Sequence, residues 1–358
     1  MSRTKGNQSR GQGNTATVIT PDQGGYMAGR GERWTGKASD YYNIPLVNKA
    51  HWSWEIVLYF FFGGLAGGSF LVSSIASLLG FKKDESVIRI GRYLSFVSVL
   101  ISPVLLIKDL GRPERFINML RVLKLRSVMS IGSWALSIFG LFCSLATAHQ
   151  AAKDGLLNWF PLMARLMKAL PIKVIEIVGS LFGIVVASYT GVLLAATAVP
   201  VWARARNIIG PLFFTSGLST ALAAISCILS LDSSNRHKNA LERLERAEII
   251  ATMTELGLIS ALAPTLGPLG KPLFRGRDGT LLLGGTVSSG LIAPLLLRLG
   301  WKIVCKSTPR EVNSVASLLV LVGGLILRYV WIDAGRRSAD DPQATHEYNA
   351  IEWKERKS

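Results

Sequence analysis

Residues 56–80 read IVLYFFFGGLAGGSFLVSSIASLLG, without one Asp, Glu, Lys or Arg. A hydrocarbon core about 30 Å thick needs roughly 20 such residues in a helix. This run therefore crosses a membrane. Seven further apolar runs follow, near 87–107, 127–149, 172–196, 208–231, 243–266, 279–299 and 312–332. Charged clusters such as Lys82-Lys83-Asp84-Glu85, or turns with Pro and Gly, separate them. The run at 243–266 is weaker because it begins inside a charged turn, and that at 279–299 because it is rich in glycine. No alternating strand pattern competes, and lipid admits only helices or closed barrels. The fold class is an all-α polytopic membrane protein with eight transmembrane helices.

Composition agrees. The 358-residue chain is 18% charged, with mean hydropathy +0.34, whereas soluble domains carry about a quarter charged residues. Lys and Arg number 40 against 23 Asp and Glu, a formal net charge of +17. These cations flank the apolar runs, where lipid headgroups lie. Disorder, collagen and disulfide scaffolds are excluded. Nucleic-acid binding is not expected, because the basic residues are dispersed among loops rather than gathered on one face.

Residues 1–50 form a polar tail rich in Gly, Ser and Thr, without the apolar core of a signal peptide. The C-terminal segment 333–358 also reads as an extended polar tail. Eight spans put both tails on one face, here the N side. Basic residues in the C-side turns outnumber those in the N-side turns, so the positive-inside rule places the tails outside a prokaryotic cytoplasmic membrane.

The redox-looking residues are few. Cys143, Cys227 and Cys305 have no C-x-x-C spacing and cannot supply the four thiolates of an iron–sulfur cluster. Of His51, His149, His237 and His346, only His149 lies even near the end of a span, so two histidines facing each other across a haem are not expected. The sequence thus predicts no metal site, no haem and no iron–sulfur cluster in this chain. Any electrons it handles leave through another subunit.

The first run opens HWSWEIVLYFFFGGLAGGS at 51–69. Gly63/Gly67 and Gly64/Gly68 are overlapping G-x-x-x-G pairs that let helices approach closely. Glu55 and Tyr59, at i and i+4, share a face, and a carboxylate near the hydrocarbon edge needs a reason. The second run ends KDLGRPERF at 108–116, where Gly111 and Pro113 stop the helix and leave Asp109 and Arg112 at the N-side edge. Tyr189 nears the same edge at the end of the fourth run. Topology brings Glu55, Tyr59, Asp109, Arg112 and Tyr189 to one face, together with Trp52 and its aromatic neighbours. Hydroxyl and guanidinium donors beside carboxylates, in an aromatic wall, suit a quinone headgroup. The donors hold the carbonyl oxygens, and Asp109 or Glu55 takes protons as quinol is oxidised.

These segments closely resemble the NrfD/PsrC family, the membrane subunits of polysulfide reductase-type complexes. The resemblance rests on W-x-W-E-I-x-L-Y-F-F-x-G-G-L-A-G-G-S at 52–69 and D-L-G-R-P-E-R-F at 109–116. It is supported by R-S-x-M-S-x-G-S-W at 126–134, S-Y-T-G-x-L-L at 188–194, and more weakly by AVPVW at 198–202 and AGRRSADDP at 334–342. It implies two four-helix bundles, 51–200 with a quinone site and 201–332 without. It also implies quinone contacts at Tyr59 and Tyr189, with menaquinone or ubiquinone bound as substrate. Implied partners are a ferredoxin-like iron–sulfur subunit and a catalytic subunit of molybdopterin, hydrogenase or cytochrome type. Some members place histidine at the position of Tyr59 and asparagine at that of Ile56, so the headgroup contacts differ here.

Further carboxylates lie towards the C side. Glu176 is early in the fourth run, while Glu248, Thr252 and Glu255 form one helical stripe. The carboxylates are either locked by arginine partners or form a proton path from the C side to the quinone. Two other functions compete with a quinone-reactive subunit. A passive anchor would lack the quinone site, and a secondary transporter would use the membrane carboxylates for ion coupling. In every case the terminal substrate is handled by another polypeptide.

Overall fold

The computed structural model describes Val47, residues 52–79, 85–110, 118, 120–124, 126–232, 237–305 and 308–355. Eight helices within it are long and apolar enough to cross a membrane. They are α1 (Trp54–Leu78), α2 (Glu85–Leu110), α3 (Val128–Lys153), α4 (Ile172–Ala195), α5 (Arg206–Leu231), α6 (Lys238–Leu266), α7 (Gly276–Val304) and α8 (Arg310–Ala339). The protein is an all-α polytopic membrane protein. At 1.5 Å per residue α1 alone is about 37 Å long, enough to cross the hydrocarbon core with its ends at the headgroups.

Small residues set the helix order. Lipid tails are as apolar as leucine, so close backbone approach and polar contacts hold membrane helices together. A methyl group at Gly67 would fall 3.1 Å from the Ala187 Cβ of α4 and overlap the Gly183 carbonyl. One at Gly68 would fall 2.6 Å from the Gly217 carbonyl oxygen and 2.8 Å from the Ala221 Cβ of α5. The overlapping glycine pairs thus seat α1 against two helices at once. Helix α5 packs on α1 and α4 as well as on α6 and α8, so the described helices form one continuous array.

Helix α7 is irregular. After Gly276–Thr280 it widens into a π-helical stretch, Leu281–Ile292, before α-helix resumes at Ala293–Cys305. Ser288 and Ser289 donate to carbonyls five residues back, at Leu283 and Gly284. Gly290 meets Gly323 of α8 backbone to backbone, and Gly285 lies against Ile326, so two of the glycines that weaken the apolar signal are where the two helices touch.

The structure departs from the expected C-terminal tail. Helix α8 continues to Ala339, and a further helix covers Pro342–Glu355. Arg337 explains the extension: it pairs with Asp333 one turn back at 3.0 Å and with buried Asp278 of α7 at 3.3 Å. The Asp341 carboxylate then accepts from the Gln343 amide at 3.0 Å, capping a helix with proline in its first turn. The expected N-terminal tail, apart from Val47, lies outside the described residues.

Placing a branched side chain at Gly68 is expected to force α1 and α5 apart. Gly68→Val should lower the unfolding midpoint of the purified protein in detergent by several degrees, with Gly284→Ala, which has open space around it, as the silent control. Overpacking of this kind costs about 1–3 kcal/mol.

Candidate functional site

At the N side, the first turn of α1 meets the last turn of α2. Ser53 precedes α1, and its hydroxyl donates to Asp109 Oδ1 at 2.7 Å while its amide approaches the same oxygen at 3.4 Å. Asp109 therefore satisfies a free amide at the positive end of α1. Lys108 lies over the Trp54 ring, 4.5 Å from its centroid, and pairs with Glu55 Oε1 at 3.2 Å. Glu55 is 8% exposed, and its other oxygen, Oε2, accepts no well-aligned hydrogen bond, although the Ser53 side chain also interacts with this carboxylate.

One turn deeper, Tyr59 and Tyr189 are both buried and close enough to interact electrostatically. The Tyr189 hydroxyl donates to the Val128 carbonyl at 2.9 Å. Its ring occupies the space that any side chain at Gly132 of α3 would need. Gly132 is thus the seat of Tyr189, which ties the motif at 126–134 to that at 188–194.

An aromatic wall completes this end. Trp52 stacks on Trp202 at 5.1 Å and meets Phe60 edge-on at 6.0 Å. Phe60 in turn contacts Tyr59 at 5.8 Å and Phe213 at 6.1 Å. Trp202 belongs to the short helix Pro200–Arg204, donates to the Trp331 carbonyl at 2.8 Å, and lies in a hollow left by Gly335. The structure brings Trp52, Glu55, Tyr59, Asp109 and Tyr189 to the N-side ends of their helices. Arg112 lies outside the described residues. Sequence reasoning passed over Lys108, Ser53 and Trp202 as functional residues, although Trp202 ends one of the quoted motifs.

The carboxylates expected to form a proton path fall into two separate groups. Glu176 pairs with Arg92 of α2, whose other nitrogen donates to Gln150 at 2.8 Å. Gln150 donates to Asp154, which also accepts from Tyr93 and pairs with Arg89. This network joins α2, α3 and α4 near the C side. Glu248 and Glu255 instead face α5, α7 and α8. Glu248 pairs with Arg298 at 2.7 Å, yet neither of its oxygens accepts a well-aligned hydrogen bond, and the Thr252 hydroxyl beside it is also without a partner. Arg298 donates to Asn313 and Ser317, and Asn313 donates to Ser226 at 2.8 Å and Ser230 at 3.1 Å.

Glu255 Oε2 accepts from Ser219 at 2.7 Å, and Ser216 bonds to the same carboxyl group. Arg328 donates to Ser216, attracts Glu255 electrostatically, and lies over the Phe213 ring at 5.5 Å. A methyl group at Gly64 would come within 3.3 Å of its guanidinium. A buried polar seam therefore leads from Glu245, paired with Lys302 at 3.3 Å near the C side, to Arg328. Two aromatic rings, Phe213 and Phe60, separate that arginine from Tyr59. Among the described residues, no group of three or more His, Cys, Asp or Glu side chains is placed to hold a metal ion.

The family described as "Polysulphide reductase, NrfD" matches residues 43–338. Over 313 residues the protein is 25% identical to one of the polypeptides of the polysulfide reductase of Wolinella succinogenes, covering 82% of this sequence and 97% of the relative. Over 104 residues it is 31% identical to one of the subunits of the selenate reductase of Mesobacillus selenatarsenatis, covering 29% of this sequence and only 24% of the relative.

The Arg92–Glu176 pair gives a stability prediction. Removing one member of a buried pair strands the other charge, at about 3–5 kcal/mol. Glu176→Ala should therefore destabilise strongly in an unfolding titration in mixed micelles. The double variant Arg92→Met/Glu176→Leu should recover most of the loss.

Proposed function

The protein belongs to the NrfD family of polysulfide reductase-type membrane subunits, and from that premise we propose that it is the quinone-reactive membrane subunit of a respiratory oxidoreductase complex. It exchanges electrons directly between quinone at the N-side ends of α1–α4 and an iron–sulfur partner docked on that face. Both relatives are named as single components of larger reductases, which supports a multi-subunit setting. The terminal substrate is then turned over by a separate catalytic subunit. On this reading the first four helices form the quinone-binding bundle, the last four form a second bundle, and the tails are external.

One observation carries the site assignment: the Glu55 carboxylate stands at the headgroup end of α1 with Oε1 held by Lys108, while Oε2 accepts no well-aligned hydrogen bond. A buried acceptor without a donor is costly. A quinol hydroxyl donates to this carboxylate. As the two electrons leave for the partner's iron–sulfur cluster, Glu55 takes the proton of that hydroxyl, and the second proton leaves through Asp109 to water at the N side. Asp109 holds the first turn of α1 through Ser53 and so positions Glu55. Tyr59 and Trp52 form the headgroup wall, with Arg112 as a further donor. Tyr189 is the observation that favours a passive anchor, because its hydroxyl is already committed to the Val128 carbonyl.

Binding of a quinol analogue, followed by quenching of tryptophan fluorescence, separates the two readings. Glu55→Gln should weaken saturable binding by roughly tenfold or more, as expected for a hydrogen bond to a charged group worth about 1.5–3 kcal/mol. Tyr59→Phe should weaken it by roughly two- to tenfold, as expected for a neutral one worth about 0.5–1.5 kcal/mol. Absence of saturable binding with the partner subunits present would leave the passive anchor.

We further propose that protons move along the seam from Glu245 through Glu248 to Glu255, the last proton-carrying group, with Arg328 as the fixed cation beyond it, while Glu176 serves to lock α2 to α4. Glu248 pairs with Arg298 through one oxygen and has no partner at the other, and the Thr252 hydroxyl on the same helix face is also unpartnered, so both can hand on a proton. In proteoliposomes of the whole complex, Glu255→Gln is expected to lower the ratio of protons translocated to electrons transferred. An unchanged ratio would remove the seam from the mechanism.

A further inference from the structure

Between α3 and α4 the chain forms a nine-residue helix, Pro161–Ala169, at the C side. Its surroundings are unusual for a polar turn. Trp159 is 91% exposed, Leu162 72% and Phe160 67%, and Met163 and Leu166 are exposed as well. Within the helix only Ala164 is buried. With 3.6 residues per turn, Leu162, Met163 and Leu166 lie on one side, while Arg165 and Lys168 lie on the other, both exposed. The backbone is tied to the bundle, since the His149 ring nitrogen Nδ1 bonds to the Met167 carbonyl at 2.8 Å. The apolar face is thus held in place, and no described residue of this protein covers it.

Two observations say what covers it. The exposed stripe Val174, Ile177, Leu181 and Val185 of α4 begins only five residues beyond Ala169 and runs along a membrane-crossing helix, so the apolar face of the short helix continues a lipid-facing surface. The cations Arg165 and Lys168, followed by Lys173, stand where a helix lying in the interface presents its polar side to headgroups. Long basic side chains there attract anionic lipid. We infer that Trp159–Ala169 is an interfacial anchor that buries its apolar face at the acyl boundary of the C-side leaflet and binds anionic phospholipid headgroups through Arg165 and Lys168.

The surface lies far along α3 and α4 from the N-side quinone residues, so its test is independent of them. The full-length protein is placed in nanodiscs of phosphatidylcholine with or without phosphatidylglycerol, and the lipid retained by the protein is measured by native mass spectrometry. Arg165→Gln/Lys168→Gln should lower the preference for phosphatidylglycerol, by about fivefold for each cation removed. The fluorescence difference between wild type and Trp159→Phe isolates Trp159. It should be quenched by phospholipid labelled near the headgroup end of its acyl chain and protected from aqueous iodide. A phosphatidylglycerol preference unchanged in the double variant overturns the headgroup site. Quenching of Trp159 by iodide and not by labelled lipid overturns the anchor, and assigns the face to a protein partner instead.

Discussion

The approach of α1 to α4 and α5 at glycine is the contact from which the remaining geometry follows. Gly67 lies against Gly183, and Gly64 and Gly68 lie against Gly217, on two faces of one helix. No hydrophobic drive separates helix from lipid, so this closeness must supply the association through van der Waals contact. With α1 fixed on both sides, its first turn has one place to be. There Ser53 reaches Asp109, Glu55 reaches Lys108, and Tyr59 looks towards Tyr189. The small residues also leave room for Arg328 beside Gly64. A bulkier α1 would exclude that guanidinium from the centre of the array.

Charges inside such an array need partners, because hydrocarbon offers none. Glu176 and Glu248 each meet an arginine from another helix, and Glu255 reaches one through serine, but the surroundings differ in kind. Arg92 and Glu176 sit in a network extended by Gln150, Asp154 and Tyr93 across three helices. That is how a cross-link looks. Glu248 has its arginine yet lacks aligned hydrogen bonds, and Glu255 relies on serine hydroxyls with Arg328 one serine away. A buried ion pair is weak evidence of stability by itself, since hydrophobic replacements often do as well.

The spans were legible because length and apolarity are all that a membrane crossing requires. Their ends were less so. The run at 312–332 stops at Asp333, whereas α8 continues to Ala339 because Arg337 pairs with both Asp333 and Asp278 across two helices. Such a partnership is invisible to a window sliding along one segment. Glu55 and Tyr59 were legible as one helical face, and the N-side convergence followed from the span count. Lys108 stood in the quoted motif, but its pairing depends on how α2 meets α1. Trp202 offers no periodic signal at all, since its helix is five residues long. The arginines did leave a mark: Arg92, Arg298 and Arg328 each interrupt an apolar run. Carboxylates read without them look like a single path. With them, Glu176 separates from Glu248 and Glu255.

Arg328 links the two ends of the molecule on the proposed reading. Its guanidinium closes the polar seam at Ser216 and faces Phe213, while Phe213 meets Phe60 and Phe60 meets Tyr59. The redox face and the seam are thus divided by two aromatic rings, with no further helix between them. Rings of this kind keep water and protons from crossing freely, but they do not screen charge. In a low-dielectric interior, a charge appearing on the headgroup side acts on Arg328 far more strongly than it would through water. Arg328 is also the cation whose attraction bears on Glu255. On the proposed reading, a charge appearing at a quinone there acts on Arg328, and through it on Glu255, without a proton passing between the rings. Coupling of this kind needs only that the arginine stay where Gly64 leaves space for it, so the glycine contact that orders the helices also places the charge that joins the two halves.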